Sequence, residues 1–276
     1  MTEHYFENKL VRMHYYKFGN GSKKMLCFHG YGMHGKQFTV LEPNLGDQYT
    51  FYGFDLFFHK ETKLKDHGLD VIKKGISKKE LCQLFLEFCE AQNILQFSIA
   101  AYSMGSHYAT TLVEEIPHRI KELFIAAPAS FNPGKTINFL SLNPMGGALL
   151  EFLALRTGRG MPRLLGLLKR LSVIDHKAYD ILLREVGTYE LRFAFFACMR
   201  YKRFLTLNTE KFIESLNKHS IKSYFIFGKR DKNYPVKIGQ SIIPRILTAQ
   251  QFEIDENHDM IHSKFGQILV ELLHDH

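Results

Sequence analysis

Phe97-Ser98-Ile99-Ala100-Ala101-Tyr102-Ser103-Met104-Gly105 decides the fold of this 276-residue chain. Its first five residues form an apolar run of strand length, and Gly105 to Glu115 reads as a helix. Between them Ser103 stands in a turn so tight that small residues are needed two positions before and after, here Ala101 and Gly105. Such a turn pushes a serine hydroxyl out past the sheet edge, which makes Ser103 a candidate nucleophile. A small-x-Ser-x-Gly string alone also fits ordinary strand-to-helix turns, so the rest of the chain has to supply its partners.

Working outward, short apolar runs at Met25–Phe28, Thr50–Phe54 and Leu123–Ala126 alternate with helical stretches at Gly35–Leu41 and Lys78–Asn93. Ser77 and Glu80 form a capping box that opens the second of these helices. This alternation predicts a parallel sheet with helices on both faces. Leu10–Phe18 with the turn Gly19-Asn20-Gly21 reads as an antiparallel hairpin leading into the first parallel strand. The rhythm stops after Pro128, and from about 131 to 210 only helical patterns occur. It resumes with a strand at Ser223–Phe227, a helix from about Val236, a strand at Gln250–Ile254 and a terminal helix from about Ser263. The reading is one α/β core, residues 1–130 and 211–276, interrupted by a helical insertion at 131–210.

Composition fits a soluble globular protein, with 45% hydrophobic and 23% charged residues. No apolar stretch approaches the roughly 20 residues that span a bilayer, and Met1–Leu10 lacks the apolar core of a secretory signal. Cys27, Cys82, Cys89 and Cys198 show no metal-like spacing and read as reduced thiols, which predicts a cytoplasmic protein. The net charge is +8, but twelve Lys and Arg against six Asp and Glu fall within 131–210. A basic excess confined to one leucine-rich region argues against a general nucleic-acid surface.

Functional groups of α/β sheets gather in loops beyond the carboxyl ends of the strands. Three such loops add to Ser103. Asp231 follows the Ser223–Phe227 strand, and His258 follows the last one. A histidine there can take the serine proton as general base, and an aspartate can fix its orientation. Asp255 and Asp259 lie close enough in sequence to compete with Asp231. The third loop is His29-Gly30-Tyr31-Gly32, whose glycines let backbone approach a substrate carbonyl. The N–H groups of Tyr31 and Met104 are then candidate oxyanion donors. His29 reads as a brace for that loop. His34, His107 and Phe38 are candidate substrate contacts. His258 and His262 share an i, i+4 spacing without a third ligand, so no metal is expected, and His274 and His276 are expected to be solvated.

With these residues in place the chain resembles the α/β-hydrolase superfamily, in the branch that carries a helical cap. The supporting stretches are Cys27-Phe28-His29-Gly30, Ile116-Pro117-His118-Arg119-Ile120 before Leu123–Ala127, Phe227-Gly228 ahead of Asp231, and His258 some 27 residues further on. The resemblance implies a mostly parallel eight-stranded sheet, a Ser103/Asp231/His258 triad and no cofactor. Two departures stand out: Phe38 occupies a position where many relatives have tryptophan, and Leu56–Lys60 lacks the glycines common there.

The expected activity is hydrolysis of a carboxylic ester or thioester with a small to medium apolar acyl group. Ser103 excludes the aspartate nucleophile of dehalogenases and epoxide hydrolases. Carbon–carbon bond hydrolysis or a lyase reaction on a polar metabolite would use the same triad, and a non-catalytic binding module would use the same fold. The insertion, with Leu149, Leu150, Phe152, Leu164 and Leu167 among its apolar residues and Arg156, Lys169 and Arg170 beside them, reads as a basic, apolar cap. Its expected contacts are a small-molecule acyl substrate and, transiently, an anionic membrane surface or an acyl carrier.

Overall fold

Each apolar run named above becomes a strand of a single sheet. The structure, a computed structural model, describes residues 1–156, 158–171 and 176–274; His276 and the side chain of His274 lie outside what is described. In chain order the strands are β1 (Thr2–Glu7), β2 (Val11–Phe18), β3 (Lys23–Phe28), β4 (Tyr49–Phe54), β5 (Lys63–Leu64), β6 (Phe97–Tyr102), β7 (Ile120–Ala126), β8 (Lys222–Gly228) and β9 (Ala249–Ile254). The helices are α1 (Glu42–Leu45), α2 (Leu69–Lys74), α3 (Lys78–Ala91), α4 (Ser106–Glu115), α5 (Lys135–Leu142) and α6 (Pro144–Glu151). They continue as α7 (Gly160–Arg170), α8 (His176–Val186), α9 (Tyr189–Tyr201), α10 (Thr209–Lys218) and α11 (Phe265–His274).

Strand order across the sheet is β1-β2-β4-β3-β6-β7-β8-β9, with β5 pairing β2. The pairs from β4 through β3, β6, β7 and β8 to β9 are all parallel. Nine strands form where eight were expected, because the two-residue β5 joins β2 at Val11 and Arg12. β4 and β6 are buried along their whole length, as expected for inner strands covered on both faces.

The predicted hairpin at Gly19-Asn20-Gly21 is not formed. β2 pairs with β1 and β4 and never with β3, so this turn carries the chain across the end of β4. The glycines are needed for that crossing: a Cβ on Gly21 would lie 1.9 Å from the Gln48 carbonyl carbon. The N–H of Gly21 donates to the Gly46 and Tyr49 carbonyls. The true hairpin joins β1 to β2 through Asn8, whose side chain accepts the Leu10 and Val11 N–H groups. The helix expected from Val236 is also absent. Two 3-10 turns, Val236–Gly239 and Ile243–Arg245, take its place, with Pro244 inside the second.

The chain divides into two compact units. The first comprises Met1–Lys65, Ser77–Asn132 and Leu205–His276 and holds the whole sheet. Its α3 opens on the predicted capping box, in which the Glu80 N–H donates to Ser77 Oγ and the Ser77 N–H to Glu80 Oε2. The second unit is helical and comprises Asp66–Ile76 and Pro133–Phe204. Residues 66–76, read from sequence as part of the core, join it through backbone and ionic bonds: Ile76 N–H donates to the Tyr201 carbonyl, and Lys73 pairs with Glu151. Among the described residues no helix is long and apolar enough to cross a membrane. Cys27, Cys82, Cys89 and Cys198 are all buried.

Candidate active site

The register of the parallel strands sets where functional side chains meet. Phe28 of β3 pairs with Ala101 of β6, Tyr102 with Ala126 of β7, Ala126 with Ile226 of β8, and Ile226 with Phe252 of β9. The loops that follow β3, β6, β8 and β9 therefore leave the sheet at one edge.

Ser103, the first residue after β6, has φ +49, the left-handed region that a non-glycine residue enters only at a cost of about 1–3 kcal/mol. Two neighbours hold it there. Ser106 Oγ donates to the Ser103 carbonyl at 2.6 Å and accepts the Ser130 N–H at 2.9 Å. Gly105 passes so close to β3 that a Cβ would stand 2.0 Å from the Phe28 carbonyl oxygen. The sequence pattern at 101–105 is thus a steric requirement of the strand-to-helix turn.

His258, in the loop after β9, places Nε2 3.1 Å from Ser103 Oγ and Nδ1 2.8 Å from Asp231 Oδ2. The two contacts use both ring nitrogens. With Nδ1 protonated toward the carboxylate, Nε2 faces the hydroxyl as an acceptor. Tyr102 donates its hydroxyl to the His258 carbonyl, and the Met260 N–H donates to the same oxygen at 3.0 Å. Asp231 Oδ1 accepts the N–H groups of Asn233 and Tyr234 at 2.8 and 3.1 Å. Burial pushes the Asp231 carboxyl upward, but the bond from His258 and the two amides outweigh it and hold the group below its ordinary value. The competing carboxylates are elsewhere: Asp255 is exposed and paired with Arg230, and Asp259 is exposed.

Gly30, after β3, lies against the elbow: a Cβ there would stand 2.8 Å from the Tyr102 ring and 3.4 Å from Ser103 Cβ. The candidate donors Tyr31 and Met104 flank this approach in sequence. Two histidines fix the loop. His29 donates from Nδ1 to the Gly30 carbonyl and accepts the Leu56 N–H at Nε2. His59 accepts the Gly32 N–H at Nε2 and approaches the Phe57 carbonyl through Nδ1. Burial pushes His29 well below the ordinary imidazole value, helped by the neighbouring His59, and burial likewise lowers His59. Both rings are therefore neutral near pH 7, the form that can accept an amide proton.

His59 was missed in the sequence, where the segment after Asp55 registered only as lacking glycine. Phe58 and Lys60 adopt φ +64 and +48 without glycine, and so carry the His59 ring to the Gly32 amide. Asp55 was missed as well. It is buried, receives the Gly35 N–H at Oδ1, and pairs with His14 Nδ1 at 2.8 Å.

The three candidate substrate contacts separate in the structure. Phe38 is a core residue, packed with Met25, Leu41, Ala100 and Phe265, so its ring braces the sheet instead of facing a ligand. His107 is buried on α4, with Nδ1 3.0 Å from the Leu205 carbonyl. His34, which packs near Tyr16, keeps a buried Nδ1 with no hydrogen-bond partner among the described residues. His262, the other half of the i, i+4 pair, places Nε2 2.9 Å from Glu256. No group of three metal-ligating side chains occurs among the described residues.

A family profile described as the alpha/beta hydrolase fold matches residues 23–172. Over 135 residues the chain is 24% identical to the dihydrolipoyllysine-residue acetyltransferase component of the acetoin cleaving system of Cupriavidus necator. That match covers 48% of this chain and 34% of the other, so the chain spans about a third of its relative's length. Among solved structures, MGS-M2, an alpha/beta hydrolase enzyme from a Medee basin deep-sea metagenome library, superposes with a TM-score of 0.70 at 15% identity, covering 98% of this chain and 97% of its own. The enol-lactonase of Burkholderia xenovorans LB400 superposes with a TM-score of 0.65 at 16% identity, covering 96% and 97%. At these identities the structural likeness carries the fold alone.

Proposed function

The chain belongs to the alpha/beta hydrolase fold family, and from that premise we propose that it is a serine hydrolase cleaving a carboxylic ester or thioester through an acyl-enzyme. The observation that carries this reading is Ser103 Oγ at 3.1 Å from His258 Nε2, with Asp231 2.8 Å behind the ring. In the first half-reaction Oγ attacks the substrate carbonyl carbon while Nε2 takes its proton. The backbone amides of Tyr31 and Met104 receive the negative charge that develops on the carbonyl oxygen. His258 then returns the proton to the departing alkoxide or thiolate, leaving Ser103 acylated. In the second half-reaction the same nitrogen deprotonates a water, which attacks the acyl carbon and releases the acid. Asp231 keeps the Nδ1 proton in place and balances the imidazolium formed in each half.

The acyl group we propose is apolar and of small to medium size. A clamp for a polar metabolite, as carbon–carbon bond hydrolysis or a lyase reaction would need, calls for a charged group held ready in a buried wall. Four buried charged side chains are already engaged: Asp55 with His14, Glu114 with Lys78, Asp231 with His258, and Arg192 with the carbonyls of Ala154, Val186 and Gly187. The Nδ1 atom of His34 is the polar group we assign to the substrate's oxygen atoms.

Labelling with a fluorophosphonate, with the adduct mapped by mass spectrometry, tests the assignment. An adduct on Ser103 that is lost in Ser103→Ala is the expected result. No adduct under conditions that label a control esterase would favour a non-catalytic binding module on the same fold.

A further inference from the structure

Three successive helices of the second unit turn apolar side chains outward. On α7, Leu164 and Leu167 are exposed, as is Leu171 at its C-cap, and at 100° per residue they share one stripe, while Leu165 on another face is the buried one. On α6 and the π-helical turn Phe152–Arg156 that continues it, Met145, Leu149 and Phe152 form a second exposed stripe, with Gly146, Gly147, Leu150 and Ala154 buried opposite. Phe139 and Leu142 of α5 add a third. α5 and α6 are held tightly together, since a Cβ on Gly146 would lie 2.1 Å from the Phe139 carbonyl oxygen. Met145 is 78% and Leu171 62% exposed, so these are not residues at the margin of a core. A surface helix ordinarily puts polar residues outward, and contiguous apolar exposure marks a place where something binds.

Charge identifies what binds. Between residues 132 and 174 stand Lys135, Arg156, Arg159, Arg163, Lys169 and Arg170 against a single acid, Glu151. That acid is paired with Lys73 at 2.9 Å and faces Arg156 at 4.0 Å. On α7 the exposed Arg163 and Arg170 flank the leucine stripe on the side away from the buried Leu165. From there their aliphatic stems can lie beside the leucines while the guanidinium groups reach outward. Leucines that enter an acyl layer beside arginines that reach its headgroups are the pattern of a helix lying in a membrane interface. A nucleic acid would meet the arginines but leave the leucines and phenylalanines in water.

We propose that the outward apolar stripes of α5, α6 and α7 form a peripheral docking surface for anionic phospholipid bilayers. The inference does not depend on the chemistry at Ser103. It places the protein on a membrane surface, and among the described residues no helix is long and apolar enough to span one.

The test uses the full chain with vesicles of phosphatidylcholine alone and of phosphatidylcholine mixed with phosphatidylglycerol. Co-sedimentation at least about tenfold stronger with the anionic vesicles, and falling with added salt, is expected. Leu164→Glu with Leu167→Glu should weaken it about tenfold or more, as should Leu149→Glu with Phe152→Glu. Arg163→Gln with Arg170→Gln should remove most of the preference for anionic lipid. The chain contains no tryptophan, so Leu167→Trp supplies a single fluorophore at the stripe without a charge in the fold. Its emission should shift to the blue on anionic vesicles. Equal binding to both vesicle types, or an indole emission from the Leu167→Trp variant that stays unshifted with anionic vesicles present, would overturn the proposal. So would capture by an acidic protein that leaves vesicle binding absent.

Discussion

The sheet-bearing unit contains two histidine–aspartate pairs with the same geometry and opposite surroundings. His258 Nδ1 meets Asp231 Oδ2 at 2.8 Å, and His14 Nδ1 meets Asp55 Oδ2 at 2.8 Å. Both aspartates are fully buried, and both accept a further backbone N–H on the second oxygen. The histidines differ. The His258 side chain is 32% exposed and its Nε2 faces Ser103, whereas the His14 side chain is 2% exposed and its Nε2 lies 3.7 Å from Glu3. His14 sits in β2, clamped by pairing with β1. A histidine–aspartate pair by itself is therefore a structural joint. It becomes a proton shuttle only where the outer nitrogen meets a hydroxyl and a substrate can reach that hydroxyl.

The largest expected difference between the pairs is in turnover. Asp231→Asn should lower kcat on p-nitrophenyl butyrate about 10⁴-fold, because the amide no longer holds the Nδ1 proton in place. Asp55→Asn should stay within about tenfold of the native rate, and equal losses in the two variants would break the comparison. Stability should follow the reverse order. His14→Ala strands a buried carboxylate and is expected to cost about 3–5 kcal/mol in urea unfolding. His258→Ala leaves Asp231 with two amide donors and some access to water, and should cost no more than about 2 kcal/mol.

The sequence discloses one of these pairs and hides the other, for a physical reason. Asp231 and His258 follow parallel strands whose apolar runs are unmistakable, so their loops fall at the carboxyl edge by topology alone. His14 lies in a mixed strand, Val11–Phe18, and its partner is set by the antiparallel β2–β4 pairing. The sequence reading placed β2 in a hairpin with β3 instead. The glycines at 19 and 21 misled that reading because a tight turn and a close backbone crossing demand the same residue. β1 went unread because its side chains are mostly exposed and polar at an edge. The capping box at Ser77 and the elbow at Ser103 were legible because each is local, satisfied within a few residues. The Gly32–His59 bond was not, since it spans 27 positions and rests on two left-handed residues, Phe58 and Lys60, of types that give no sign of it.

His29 and His59 sharpen the comparison from another side, since their rings bond to backbone and not to carboxylates. Their folded values lie below the 6.5 of a free imidazole. Above that value both states are neutral and the full stability is present. As pH falls below it, the unfolded chain binds protons that the folded rings refuse, so stability is lost until the folded values are reached. Each ring contributes up to about 1.4 kcal/mol per pH unit in that window. Urea unfolding at about pH 7.5 and about pH 5.5 should show the loss, and His59→Gln should reduce its slope by about one proton. An unchanged slope in the variant would remove His59 from the account.

The smallest effect concerns what stands in for a strand at His258. That residue lies in a loop, and its carbonyl is held by the Tyr102 hydroxyl and the Met260 N–H. Removing one of two such bonds should release about 1 kcal/mol of constraint, which corresponds to roughly a fivefold change in the population of the aligned ring. Tyr102→Phe should therefore slow fluorophosphonate labelling of Ser103 by about that factor while leaving Asp231 and the fold in place. The change acts on orientation, so the shape of the pH–rate profile should stay the same and only its height should fall. A rate equal to that of the native chain would mean that the Asp231 bond alone positions His258. In that case the two pairs would differ only in what their outer nitrogens face.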